Sequence, residues 1–130
     1  IPDWVGELTS MQLLDLDANK LAGTIPTWIG LLTSLDHLLL DRNELTGTLP
    51  TTLSNMRHLT VFLIDGNSLT GNADVVCQSQ NVNPPFFVSD CYPSPDGTGP
   101  EVQCLCCDLC CEDGDPNCND RSWTSNLDLK

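Results

Sequence analysis

Three stretches of this chain repeat one another at a constant step of 24 residues. They read IPDWVGELTSMQLLDLDANKLAGT, IPTWIGLLTSLDHLLLDRNELTGT and LPTTLSNMRHLTVFLIDGNSLTGN. A fixed step of this length restricts the fold to a stack of coils, each burying its apolar face against the next. Alignment places Met11, Leu35 and Leu59 in one column, then Leu14, Leu38 and Phe62, then Leu16, Leu40 and Ile64. Asn19, Asn43 and Asn67 follow, then Leu21, Leu45 and Leu69, then Gly23, Gly47 and Gly71. The alternation at Leu14 and Leu16 turns two apolar side chains inward from a short strand. Stacked copies form a parallel sheet with strands roughly 4.8 Å apart. An inward Asn at each turn can satisfy backbone groups of adjacent coils that would otherwise be buried unpaired. The glycines suit a tight bend or a close backbone approach. Pro2, Pro26 and Pro50 start a convex segment, a short 3₁₀ or α turn. That segment is expected to bury Val5, Ile29 and Leu53, then Leu8, Leu32 and Met56.

The recurring LxxLxLxxNxLxGx pattern resembles the leucine-rich repeat, and the LxGxIPxxL wording resembles its plant-type subclass over residues 1–73. The resemblance implies an α/β solenoid with a short parallel β-sheet on the concave face and 3₁₀ or short helical turns on the convex face. It also implies a second short sheet on the flank. We divide the chain into three repeats over 1–72, a degenerate fourth repeat with a cysteine-rich cap over 73–120, and a mobile tail over 121–130. The first repeat starts without its strand, so the chain reads as a piece of a longer array.

All eight cysteines lie at Cys77, Cys91, Cys104, Cys106, Cys107, Cys110, Cys111 and Cys118. Continuing the 24-residue step puts Cys77 in the column of Leu53, Phe86 in that of Phe62, Val88 in that of Ile64 and Cys91 in the Asn column. Pro84 and Pro85 would shape the approach to that strand. An even cysteine count beside a short core reads as a disulfide-stapled cap. The other chemistry open to C-x-C-C-x-x-C-C is zinc held by thiolates; disulfides are the expectation, and no metal or cofactor is expected. Pairing cannot be read from spacing. FVSDC followed by PEVQCLCCDLCC resembles the cysteine-rich terminus of extracellular leucine-rich repeat proteins from diatoms and related algae, over about residues 77–118. That resemblance implies an extracellular or cell-surface location. The acidic run 112–120 lacks the spacing of a calcium loop, and Trp123 could fold back onto the cap.

Eighteen acidic residues against five basic ones give a net charge of −13. Such a surface disfavours nucleic acid and anionic membranes. The strand positions between the inward leucines face the concave side, the usual binding surface of a solenoid. They form the columns Leu13, His37, Val61; Asp15, Leu39, Leu63; Asp17, Asp41, Asp65; and Ala18, Arg42, Gly66. We take Leu13, Asp15, Asp17, His37, Leu39, Asp41, Arg42, Val61, Leu63 and Asp65 as the candidate ligand-binding set. Leu39, Val61 and Leu63 would form an exposed apolar patch. The aspartate ladder reads as a hydrated acidic edge, with calcium or a basic peptide as the sharper alternative. Trp4 and Trp28 share a convex column and are expected to be partly buried. His37 and His58 have no nucleophile beside them, so no catalytic residue is expected.

These features point to a non-enzymatic recognition module binding a protein or polysaccharide. A receptor-like or adhesion ectodomain is the alternative. So is an inhibitor of secreted hydrolases, by resemblance to plant polygalacturonase-inhibiting proteins. No direct membrane contact is expected of this stretch, and its oligomeric state is open.

Overall fold

A computed structural model describes residues 1–77, 84, 86–91 and 102–111. Cys118, Trp123, Pro85, the acidic run 112–120 and the tail 121–130 lie outside the described residues.

Each prolyl start leads into a 3₁₀ turn: Asp3–Glu7, Thr27–Leu31 and Thr51–Asn55. Pro2, Pro26 and Pro50 occupy the N-cap position with extended backbone, where a missing N–H costs nothing. In the fourth coil a single α-turn, Asp74–Cys77, replaces the 3₁₀ turn, and its buried residue is Val76.

The concave sheet has five parallel strands: β1 (Leu13–Asp15), β2 (His37–Leu39), β3 (Val61–Leu63), β4 (Phe86–Ser89) and β5 (Leu109–Cys110). Leu13 pairs with His37 and His37 with Val61, so the columns read from the sequence are the columns of the sheet. A second parallel sheet runs along the flank through Ala22–Gly23, Glu44–Gly47 and Ser68–Leu69. Gly47 stands there at φ +80°, and a Cβ on it would lie 2.9 Å from Thr24 Cγ2. Both the left-handed backbone and the close approach require glycine.

The fourth coil departs from the 24-residue step. Phe62 pairs with Phe87, not Phe86, and Leu63 with Val88. The step is therefore 25 residues at this junction. It turns Phe87 inward, where its ring stacks on Phe62 at 4.9 Å. Ser89, not Val88, takes the inward place beside Ile64, and it is fully buried. Asp90 then stands where its carboxylate accepts the N–H groups of Gly66 and Asn67, at 2.9 and 3.1 Å. The cysteine-rich run supplies β5, and Asp108 just before it accepts from the Phe87 N–H at 2.8 Å. Val102–Gln103 pairs with Gly71–Asn72, closing the flank.

The core lies between concave strands and convex turns: Leu14, Leu38, Phe62 and Phe87 on one side, Val5, Ile29, Leu53 and Val76 on the other. Leu8, with no earlier coil beside it in this chain, is exposed instead of buried. One contact escaped the sequence reading. A Cβ on Gly30 would sit 2.3 Å from the Thr52 carbonyl oxygen, so the convex turns approach backbone to backbone there.

The asparagine ladder ties the coils together. Asn43 Nδ2 donates to the carbonyls of Leu16, Leu40 and Asp41 at 2.9, 3.0 and 3.2 Å, and its Oδ1 accepts from Leu21 N–H at 3.0 Å. Asn67 does the same one coil on, toward Leu40, Ile64, Asp65 and Leu45.

Three disulfides pin the cap: Cys77–Cys106, Cys91–Cys110 and Cys104–Cys107. Cys111 is disulfide-bonded as well. Among the described residues no helix is long and apolar enough to cross a membrane.

Candidate binding face

The concave face divides into two parts of opposite character. Toward the cap, Leu39, Val61 and Leu63 are buried, at 7%, 4% and 1% exposure. They are not the open apolar patch expected from the repeat columns. The register explains why: Leu63 neighbours Val88, Val88 neighbours Leu109, and Val61 neighbours Phe86. The cap continues these columns with apolar residues, and together with Cys111 they form a second hydrophobic cluster.

Toward the N-terminal end the face is open. Leu13 is 42% exposed and Asp15 beside it is exposed. His37 is half-buried next to Leu13, with Nδ1 3.4 Å from Asp36 Oδ2. Asp36 also accepts from the Thr60 hydroxyl at 2.6 Å.

The aspartate column is neither a hydrated edge nor a set of parallel carboxylates facing solvent. Asp41 and Asp65 are buried, and Asp17 is half-exposed. Arg42 lies across the column. Its Nη2 pairs with Asp17 Oδ2, and its Nε donates to Asp41 Oδ2 at 3.2 Å. Burial works against the guanidinium charge, but the Asp41 and Asp17 carboxylates outweigh it and raise the Arg42 pKa further. Arg42 occupies the left-handed turn, at φ +54°, in the column where Gly66 stands in the next coil. A bulky residue there costs on the order of 1 kcal/mol. Arg at this position reaches both the Asp17 and the Asp41 carboxylates, which a glycine could not do.

Asp15 is the open acid on this face. Partial burial raises its carboxyl above the ordinary aspartate range; the Asp17 N–H, donating to Oδ1 at 3.2 Å, opposes that, and the Asp17 carboxylate adds to it. A carboxyl whose folded pKa exceeds its unfolded value holds its proton longer in the folded chain. Its ionisation therefore weakens the fold as pH rises from the unfolded value through the folded one. Asp15→Asn should remove this fall, so that the variant gains stability relative to the parent as pH rises from about 3, through the ordinary aspartate value of about 3.9, toward neutrality. Thermal melts across that range check it; parallel curves for the two proteins would contradict it.

On the convex side Trp4 is 62% exposed, more than expected, while Trp28 is partly buried and its Nε1 donates to Asp3 Oδ1 at 3.0 Å. His58 is exposed on a turn. Among the described residues, Cys77, Cys104 and Cys106 lie close enough together to hold a metal, and all three are engaged in disulfides.

Residues 2–70 match the family described as Leucine rich repeat. No curated protein matches the chain. Among solved structures, the BIR3–SERK2 complex from Arabidopsis thaliana is 38% identical, over 55% of this chain and 39% of that one, with a TM-score of 0.54. The plant peptide hormone receptor RGFR1 in complex with RGF2 is 34% identical over 68% and 14% of the two chains, TM-score 0.61. A plant ice-binding protein is 29% identical over 71% and 28%, TM-score 0.60. The chain thus spans well under two thirds of each of these structures. A receptor for a peptide and a binder of ice share its coil, so the fold alone does not choose a ligand.

Proposed function

Because the chain belongs to the leucine-rich repeat family, we propose that it is a non-enzymatic recognition module, from the C-terminal part of an extracellular array. It binds a basic protein or peptide segment on the open part of its concave face. The observation that carries this reading is the acidic character of the concave face at β1 and β2, where Asp15 is exposed and Asp17 and His37 are half-exposed, on a protein of net charge −13. A cationic side chain paired with Asp15 would favour its charged form, and an aliphatic neighbour would cover Leu13. The disulfides fit an oxidising compartment. Support also comes from the plant peptide hormone receptor, whose coils resemble these. The cap's likeness to diatom and algal extracellular proteins belongs to the same reading.

The test is a peptide library of varied charge screened against the chain, with hits mapped by amide chemical shifts. Basic hits should perturb β1 and β2, weaken with salt, and lose about tenfold in affinity in Asp15→Lys. Hits that map to the convex turns, or that bind Asp15→Lys unchanged, would overturn the assignment. A receptor-like ectodomain is the second reading, favoured by the likeness to the plant peptide hormone receptor RGFR1; polysaccharide ligands and hydrolase inhibition are checked by glycan arrays and residual-activity assays.

A further inference from the structure

The lateral side of the stack, between the convex turns and the concave strands, carries a break in the repeat. Aligned positions read Thr9 and Ser10 in the first coil, Thr33 and Ser34 in the second, and Arg57 and His58 in the third. Core packing does not ask for this change: all six residues are exposed, while Leu35 and Leu59 beside them stay buried. Charge pairing does not ask for it either. Among the described residues Arg57 forms no ion pair, whereas Arg42 meets two carboxylates. Arg57 and His58 instead line a cleft of about 420 Å³, together with Thr33, Ser34 and Asn55. Ser34 and His58 also border a second cleft, of about 450 Å³, whose other walls are Gln12, Asp36 and Thr60. The two clefts therefore form one groove, each part in the size range of a ligand pocket. Gln12, Asp36 and Thr60 stand just before β1, β2 and β3, so the groove runs off the rim of the concave sheet.

The groove is electrically polarised. At the concave rim the Asp36 carboxylate is held by the Thr60 hydroxyl at 2.6 Å and lies 3.4 Å from His37 Nδ1, with 43% of its side chain exposed. At the lateral end stand the Arg57 guanidinium and the His58 imidazole. Arg57 precedes Thr60 by three residues, so the basic end is no more than about 10 Å of chain from the rim. We propose that this groove binds the acidic flank of the same peptide or protein segment whose basic residues lie on the concave face, so that the site rests on that assignment and adds an order of charges to it. A Lys or Arg sits near Asp15, and within about three to five residues an Asp or Glu places its carboxylate against Arg57 and His58. The hydroxyls of Thr33 and Ser34 and the amide of Asn55 can donate to its remaining lone pairs. Net charge −13 makes the rest of the surface unfavourable for such a carboxylate. A ligand therefore gains only if its acid is in register with Arg57, and one with the acid elsewhere is repelled.

The probes are short synthetic peptides that share a Lys-Leu-Lys core and carry one Glu, or a Gln in its place, about three to five residues to either side. In titration calorimetry against the full chain, the best Glu peptide should bind about fivefold more tightly than its Gln twin. Arg57→Gln should abolish that preference, and Arg57→Glu should reverse it in favour of a Lys at the same place. Arg57 is exposed and outside any ion pair among the described residues, so these variants keep the fold. The amide signals of Ser34 and Asn55 should shift with the Glu peptides and not with the Gln peptides. Asp15→Lys separates the two sites: it should weaken Glu and Gln peptides alike and leave their ratio unchanged. Equal binding of the two peptides, no binding of either, or a Glu preference that survives Arg57→Glu would overturn the groove. A ratio that holds while Asp15→Lys changes nothing would support the groove and overturn the concave assignment instead.

Discussion

Replacing Asn67 by alanine should lower the unfolding free energy by about 3–5 kcal/mol, far more than a polar side chain usually contributes. Its amide donates to three backbone carbonyls and accepts from the Leu45 N–H, and Asn67 itself is 8% exposed. Two of these partners, Leu40 and Leu45, belong to the coil before it. Alanine would strand the Leu45 N–H where water cannot reach, at about 1–3 kcal/mol, and would remove one of the two donors to the Leu40 carbonyl, which keeps Asn43 Nδ2. Asn19 is the internal control. It is exposed and bonds only to its own coil, at Leu16 and Asp17, so Asn19→Ala should cost less than about 1 kcal/mol. Urea unfolding of both variants measures the difference. Equal losses would show that the ladder's position in the stack is irrelevant.

The second large effect is expected at the junction with the cap. Phe62→Ala should cost about 3–5 kcal/mol, because the ring is fully buried and the surrounding coils cannot collapse into the space. Its partner is Phe87, stacked at 4.9 Å with an interplanar angle of 20°. A double-mutant cycle over Phe62 and Phe87 should give a coupling of about 1 kcal/mol. Hydrogen exchange adds a spatial readout: β4 should lose protection in Phe62→Ala before β1 and β2 do. Additive single losses, or uniform deprotection, would mean the two rings do not form the junction.

The repeat columns were legible because each carries a physical demand that only a few residues meet. Inward alternation at Leu14, Leu38 and Phe62 set the register of β1 to β3, and the columns Leu13–His37–Val61 follow from it. The register of β4 was not legible. Phe86 and Phe87 are adjacent and both apolar, so a loop longer by one residue leaves the pattern unchanged while exchanging the two faces. The same limit hid the character of the binding face. Leu39 and Leu63 look exposed when only three coils are aligned; they are buried because Val88 and Leu109 extend their column from the cap. Arg42 stood in the candidate list for its position, but its reach across Asp17 and Asp41 depends on side-chain geometry. Cysteine pairing was the least legible of all, since it follows which strands the cap adds.

The 25-residue step between Phe62 and Phe87 also bears on how such an array can change in length over generations. Every 24-residue unit offers its successor the same Asn, Leu and Gly contacts it received, so whole units can be duplicated or deleted before Phe62 without creating a new kind of contact. The step at the cap is different. Asp90 is spaced to receive Gly66 and Asn67, and Asp108 to meet Phe87, and neither arrangement recurs elsewhere among the described residues. A coil inserted before Phe62 would reuse contacts the stack already makes, whereas one inserted at the cap would have to rebuild those of Asp90 and Asp108.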